Sequence, residues 1–581
     1  MPIRMSKFLS KHGSWVLTLA LGLAILLFWW LCYPAALAYQ EQLQLFLWTD
    51  DYLYNRLAEP GGAARYLSEL LIQFYNIIVV GALILAVLYM VLHRLSFGFL
   101  RKERYLMGLS LVPPLLLWYV MGGENVMLTY GVALLMVMAA TLLLNRIRTP
   151  NIYCWWAVAI LSLPLLYWLT GPMALVTALC LNTRHKAGKW IKVGITATAT
   201  MMVVLCILLS AQWLPFPIER LWMGLNYYRY VQPLPTIMIA IPFIVVLLFH
   251  LPGLLEPLLQ NKGRQQVALI AGFAVPAAIA ALVPISYEER TYDLMEYDYL
   301  VRTGNWNAII RKSEQKQPDL PMSVCATNLA LAMTNQLCER GFQFFQHGSD
   351  GLLPPFERNF STQQLTGEAY FQLGLINTAQ RFAFEAMEAL PNYNKSGRVI
   401  KRLAETNLVN GQYEVARKYL HLLRKTIFYR KWAQRTEALL GQEEKINSHP
   451  LYGRLRRNSM PDDLLFSERE LDKICGRLFL HNPQNQMAMQ YLLMFPLLQK
   501  DMNTFMQYMQ VVQPRIPFNP RVCQEGVAFA FMMKHQPLPK GMVSPMVERD
   551  FSEFGSIYNN EGKSSPRLER FSHTLWYYLT Q

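Results

Sequence analysis

Long apolar runs separated by short polar loops fill the chain up to about residue 284, and from Ile285 to Gln581 the sequence becomes an ordinary mixture of polar and apolar positions. A helix that crosses a bilayer needs roughly 20 apolar residues, fewer where neighbours or local thinning help. Nine runs approach that length: 14–38, 76–92, 105–120, 127–144, 152–169, 172–181, 193–213, 237–251 and 267–284. The sixth is short, and Thr170-Gly171-Pro172 before it predicts a tight reversal that pairs one full helix with one half helix. The predicted fold class is all-α. A polytopic domain of about nine spans covers 1–284, with an ordered first external loop at 39–76, and a water-soluble helical domain covers 285–581.

The first external loop carries the most pattern. After residues 39–48 come Asp50-Asp51-Tyr52, a Pro60-Gly61-Gly62 break and a helix start. From Ala63 onward Tyr66, Leu67, Leu70, Leu71 and Phe74 share one face, while Arg65, Ser68, Glu69 and Gln73 lie opposite. That is the pattern of an amphipathic helix lying on a bilayer.

The polar half reads as helical hairpins. Ala369-Tyr370, Gly374, Ile376, Ala379, Ala383, Ala386 and Pro391 match the tetratricopeptide spacing, in which small residues let two antiparallel helices approach and a glycine opens the turn. Gly411, Tyr413, Ala416, Leu420 and Leu423 repeat its second part, and Gly304-Asn305-Trp306 and Asn335-Gln336-Leu337 are poorer copies. Pro483-Gln484-Asn485 opens a further hairpin that runs on to Met509. Such arrays bind peptides or protein surfaces along a concave face; the alternative is a packed helical cap without a ligand of its own.

Charge adds orientation. One set of alternate loops holds fifteen Lys and Arg, at positions 4, 7, 11, 94, 101, 102, 104, 146, 148, 184, 186, 189, 192, 262 and 264; the opposite set holds Arg56, Arg65, Arg220 and Arg229. Cytoplasmic loops retain positive charge, so the N-terminus is expected in the cytoplasm and, after an odd number of spans, the C-terminal domain outside. This loop bias explains most of the net charge of +15, which excludes nucleic acid as the natural partner. Trp29, Trp30, Trp118, Trp168 and Trp213 fall at the outer ends of their runs and are expected as interfacial anchors. Ala36-Leu37-Ala38 suits a signal peptidase, but the run before it is far longer than a cleaved signal, so an uncleaved anchor is expected.

Chemistry is harder to find. No Asp, Glu, Lys or Arg lies within the nine runs, which argues against an ion-coupled transporter. The phosphate-binding loops, dinucleotide glycine pattern, zinc-spaced clusters and nucleophile elbow are all missing. Cys325, Cys338, Cys475 and Cys523 lack metal or redox spacing and are expected as buried thiols.

The arrangement of an acidic motif and an interfacial helix after the first span resembles the GT-C superfamily of integral-membrane glycosyltransferases. That resemblance implies a carboxylate acting as general base or as ligand to a divalent metal, with cations holding the phosphate of a polyprenyl-linked sugar donor. It offers Asp50, Asp51 and Glu124 for the first role and Arg56, Arg65, Arg220 and Arg229 for the second. The bland reading gives Asp50-Asp51 to a helix start and the arginines to lipid phosphates. More closely, residues 41–74 together with Asn328-Leu329-Ala330-Leu331 and 402–413 resemble an uncharacterised family of multipass proteins with tetratricopeptide-like tails from Bacteroidota. This implies a bacterial inner-membrane protein with a periplasmic C-terminal domain and no assigned activity. Two functions stand side by side: a transferase using a lipid-linked sugar, and a noncatalytic envelope scaffold that docks a periplasmic protein or peptide.

Overall fold

The computed structural model of the chain describes residues 2–182, 188–230, 233–357, 359–460, 470–516, 519–538 and 541–581, without the side chains of 2–11 and Tyr393. Arg184 and Lys186, counted among the basic loop residues, lie outside the described residues, as do the side chains of Arg4, Lys7 and Lys11. Every named element is helical, and the one extended pairing among the described residues is an isolated bridge between Val126 and Tyr228. The chain forms two compact units. The first comprises Met1–Tyr292 and takes in Pro391–Asn394 and Lys425–Phe428; the second holds the rest from Asp293 onward.

The first unit contains α1 (Pro2–Leu27), α2 (Pro34–Gln42), α3 (Asp50–Leu57), α4 (Gly62–Gln73), α5 (Ile78–Phe99), α6 (Val112–Met121), α7 (Leu128–Leu144), α8 (Ile152–Thr170), α9 (Ala174–Leu179), α10 (Lys189–Trp213), α11 (Ile218–Met223), α12 (Thr236–Leu255) and α13 (Lys262–Leu282). Among the described residues six segments are long and apolar enough to cross a membrane: His12–Cys32, Ile78–Phe99, Ile152–Leu179, Lys189–Trp213, Thr236–Leu255 and Lys262–Ser286. The other expected spans fall short for separate reasons. Run 105–120 is divided between single 3₁₀ turns and the ten residues of α6, where Pro113 and Pro114 lack the N–H groups that would continue a helix backwards. Helix α7 has 17 residues, and from Leu128 to Leu135 every one is buried, so its apolarity serves packing. The first run stops early too: a π-helical turn, Phe28–Cys32, gives way at Tyr33 to the separate helix α2.

Segment 152–179 is a hairpin. Gly171 has φ 71° and ψ −154°, a conformation open in practice only to glycine, and it separates α8 from the half helix α9. Trp155 Nε1 donates to Leu144 O at 3.1 Å, and Asn145 Nδ2 donates to Cys180 O at 2.9 Å. Residues 155 and 180 therefore meet the same end of α7, whereas a straight helix would hold them roughly 37 Å apart. At the reversal, Trp168 O accepts from Gly61 N at 2.9 Å and Thr170 O accepts from Tyr227 Oη.

Some polar side chains of the unit's interior are joined, while Trp29 Nε1, Tyr75 Oη and Tyr89 Oη are buried without a hydrogen-bond partner among the described residues. His93 of α5 is fully buried, with Nδ1 2.8 Å from Thr18 Oγ1 and Nε2 2.9 Å from Ser110 Oγ, so one imidazole ties α1 to the turn before α6. Trp29 is not an interfacial anchor. It is 1% exposed and packs edge-on against Phe28 and Tyr287, whereas Trp30, Trp168 and Trp213 are exposed as expected.

The second unit is a succession of helices: α14 (Glu289–Thr303), which begins just before it, α15 (Trp306–Gln315), α16 (Pro321–Met333), α17 (Leu337–Arg340), α18 (Phe360–Leu373), α19 (Ile376–Glu388), α20 (Gly397–Val409), α21 (Tyr413–Arg424), α22 (Arg430–Glu437), α23 (Glu443–Ser448), α24 (Pro450–Asn458), α25 (Leu471–His481), α26 (Gln486–Leu498), α27 (Met502–Val512), α28 (Arg521–Met533), α29 (Pro545–Glu561) and α30 (Leu575–Thr580). Turns with positive φ fall at Gly304, Asn335, Gly374, Gly411 and Lys500, each between two helices of a hairpin. Gly374 is needed twice over, since φ is 101° and an added Cβ would lie 2.8 Å from Asn458 Cβ. One core of buried aliphatic, aromatic and small residues runs through the hairpins, including the free thiols Cys325, Cys338, Cys475 and Cys523. At the chain's end, Glu525 Oε2 accepts from Leu575 N at 2.8 Å and Glu525 O accepts from Trp576 Nε1 at 2.9 Å, which fastens α30 to α28.

The reversal at Gly171 yields a direct expectation. Gly171→Ala should destabilise the first unit by about 1–3 kcal/mol, read as a lower Tm in detergent, because its Cβ enters a forbidden conformation beside Tyr227. Gly194→Ala, in open space on α10, should leave Tm unchanged or raise it.

Candidate functional site

The candidate residues gather where α2, α3, α4 and the loops after α6 and α10 meet. Helix α3 starts at Thr49, whose Oγ1 accepts from Tyr52 N at 3.3 Å. Asp50 and Asp51 occupy its first turn, where carboxylates complement the free N–H groups and the helix dipole. Both are exposed, and their side chains make no hydrogen bond or ion pair among the described residues. One turn apart on the same helix, Tyr52 and Arg56 turn instead toward α4.

Helix α4 is amphipathic, as its sequence predicts, with its polar side facing the protein. Arg65, Ser68, Glu69 and Gln73 are buried, while Leu67 is exposed and Tyr66, Leu70, Leu71 and Phe74 are half-buried. Ser68 Oγ lies 2.6 Å from Thr129 Oγ1 of α7, and Gln73 Nε2 donates to Gln44 O at 2.7 Å. Glu69, 1% exposed, is the hub. It accepts from Arg56 Nε at 2.7 Å, Arg65 Nε at 2.9 Å and Tyr52 Oη at 2.6 Å. Arg65 also donates to Glu59 Oε2 at 3.0 Å and to Asn394 Oδ1 at 3.1 Å. Burial and the adjoining Glu69 carboxylate hold the Tyr52 phenol far above its ordinary pKa. Burial alone would lower the Arg56 guanidinium, but Glu69 and Tyr52 outweigh it and raise the value, which keeps Arg56 charged.

A second group lies on the paired loops. Met127 N donates to Tyr227 O at 3.0 Å and Arg229 N to Asn125 O at 2.9 Å. This brings the Arg229 guanidinium to 3.9 Å from the Glu124 carboxylate and 6.0 Å from the Tyr39 ring centre. Arg220 stacks 4.1 Å over Tyr230 and donates to Asn392 Oδ1 at 3.4 Å, while Asn392 Nδ2 donates to Tyr228 O at 2.8 Å. Residues Asn392 and Asn394, taken up by the first unit through a four-residue segment, thus meet two of the four candidate cations. Nothing in the sequence announced them beyond an Asn-rich turn after Pro391.

Of the seven candidates, the structure joins Arg56 to Arg65 through Glu69, Arg65 to Arg220 through one short segment, and Arg229 to Glu124; Asp50 and Asp51 stand apart on the surface. Among the described residues no three His, Cys, Asp or Glu side chains are placed to hold a metal ion. Between α9, α10 and α12 the half helix leaves an apolar groove of 510 Å³, walled by Met173, Val176, Val204, Met238 and Phe243 and ending at Trp222 and Tyr227 on the loop that also carries Arg220 and Arg229. Sequence reasoning had marked the reversal but not the groove it opens.

Breaking a buried ion pair by removing one partner costs about 3–5 kcal/mol. Glu69→Gln should therefore cost about that much, seen as a lower Tm of the purified protein, whereas Asp50→Asn and Asp51→Asn should leave Tm nearly unchanged.

No curated protein and no solved structure matches the chain. One family model, described as a family of unknown function (DUF6057), matches residues 10–581. The match spans nearly the whole sequence, and the chain belongs to that family.

Proposed function

We propose that this protein is a noncatalytic, membrane-anchored scaffold whose helical array docks a partner on the outer side of the bilayer. The supporting observation is that the four arginines offered for phosphate binding, and Glu124, already have partners within the fold. Glu69 holds Arg56 and Arg65, Glu124 faces Arg229, and Asn392 and Asn394 meet Arg220 and Arg65. A phosphate donor would have to displace those partners. The exposed pair Asp50-Asp51 has the position of a first helical turn.

The orientation rests on the positive loops together with the alternation of contacts in the first unit. Arg94 donates to Ser14 Oγ and His250 Nε2 lies 3.0 Å from Leu179 O at one end, the end where Trp155 and Asn145 make their bonds. Trp168 donates to Leu57 O and Tyr287 Oη to Trp118 O at the other. The alternation fits nine passes when the α6 region, α7 and α9 are all counted as crossings beside the long helices, and an odd number would leave the array in the bacterial periplasm. A second reading, a GT-C-like transferase, is favoured by the apolar groove beside the Arg220 and Arg229 loop, which would suit a polyprenyl tail.

Two measurements separate these readings. A photocrosslinking residue placed at exposed Phe345, Phe384 or Val415 of the array should capture a discrete partner in intact cells, while one at exposed Leu161 of α8 should yield none. Cell-surface glycans should be unchanged by Asp50→Asn, Asp51→Asn and Glu124→Gln; their loss with the protein still present would establish transfer chemistry instead. For orientation, a periplasm-dependent alkaline phosphatase fused after Gln581 should be active, and activity of only a cytosolic reporter there would reverse the topology.

A further inference from the structure

Several arginines of the second unit meet carboxylates. Arg398 Nη1 lies 2.8 and 2.9 Å from the two oxygens of Asp298, Arg402 donates to Glu368, Arg456 to Glu443 and Arg521 to Glu525. Two arginines on α24 depart from this. Arg454 donates to the uncharged Gln372, and exposed Arg457 makes no hydrogen bond or ion pair among the described residues. Glu368 lies within electrostatic range of Arg454 but is already bonded to Arg402. Burial draws the Arg454 guanidinium below its usual value; the Glu368 carboxylate opposes that shift and the like charge of Arg457 adds to it.

Both arginines border a cleft of 340 Å³. Three residues apart, they share one face of α24. The amides beside them are oriented in one sense. Asn458 Oδ1 accepts from Asn482 Nδ2 at 2.9 Å, Asn482 Oδ1 accepts from Gln484 N at 3.1 Å, and Asn335 Oδ1 accepts from Gln490 Nε2 at 3.4 Å. Their oxygens are engaged inside the fold, which leaves Asn335 Nδ2, Asn458 Nδ2 and the second hydrogen of Asn482 Nδ2 as donors. The N-terminus of the 13-residue helix α26 adds its positive end, and Met487 contributes apolar surface. Among the described residues no carboxylate is in the walls.

We infer that this cleft, formed by Arg454, Arg457 and the amides of Asn335, Asn458 and Asn482, binds the C-terminal carboxylate of an extended peptide. Paired guanidinium groups match a planar carboxylate, and the surrounding N–H donors meet the peptide oxygens that precede it. The volume suits a chain end rather than a folded surface. The assignment rests on the scaffold reading and names the chemistry of the docked partner.

Fluorescence anisotropy on the purified full-length chain tests it with a labelled pool of random hexapeptides, prepared once with a free C-terminal carboxylate and once amidated. The free-carboxylate pool should bind at least tenfold more tightly than the amidated pool, and Arg457→Glu, with Tm unchanged, should remove that difference. Equal binding of the two pools, binding of neither, or a difference that survives Arg457→Glu overturns the inference. Tighter binding of inorganic phosphate than of the free-carboxylate pool also overturns it and assigns the cleft to a phosphate ligand. If the pools fail while a photocrosslinked partner persists, the scaffold reading stands and only the carboxylate chemistry falls.

Discussion

One buried carboxylate organises the loop end of the first unit. Removing Glu69 from water costs several kcal/mol, and that cost is offset only because three donors converge on it in fixed geometry. Tyr52 and Arg56 come from α3, Arg65 comes from α4 itself, and Arg65 in turn holds Glu59 and Asn394. Two guanidinium charges meet two carboxylates, so the network is neutral as a whole. Without it, α3 would have little to hold it, since none of its own residues is fully buried.

The same network explains the direction in which α4 faces. In a water-soluble domain an amphipathic helix turns its apolar stripe inward. Here the stripe through Leu67 faces outward and the polar stripe faces α7, where Ser68 meets Thr129. The inversion is stable when the outer surroundings are apolar and the inward polar groups all find partners, and Glu69 supplies the largest share of those partners. The exposed leucines and tryptophans of α8, α10 and α12 suit the same surroundings.

The sequence reveals the elements of this architecture more readily than their roles. Apolar runs marked where helices lie, because the boundary between run and loop follows directly from hydropathy. They could not mark how each run is used. The same composition serves an exposed long helix in α10, a protein-buried helix in α7, a proline-delayed start in α6 and a half helix in α9. Thr170-Gly171-Pro172 was legible because only glycine accepts the backbone angles required there. Asp50-Asp51 drew attention as a conspicuous pair, yet it lies at a helix start. Glu69 was present only as one member of a polar stripe, although the four-residue spacings Tyr52 to Arg56 and Arg65 to Glu69 were available to connect it. Asn392 and Asn394 were beyond such reasoning, since they meet Arg220 and Arg65 across more than 160 positions of sequence.

Hairpin turns in the second unit were legible for the same reason as Gly171, since Gly304, Gly374 and Gly411 sit at positive φ where the spacing placed them. The cleft beside α24 was not legible, because Asn335 and Asn482 come from two separate turns and Arg457 from the last turn of α24, and they acquire meaning only when these segments converge. The two units thus differ in how they treat charge. In the first, the arginines at the loop end meet partners within the fold. In the second, donors and positive charge exceed the acceptors around one cleft. An excess of that kind costs stability through like-charge repulsion between Arg454 and Arg457, and it is compensated when an anion binds. For this reason recognition by the helical array, rather than chemistry among the already paired groups of the apolar half, is the more economical account of the whole chain.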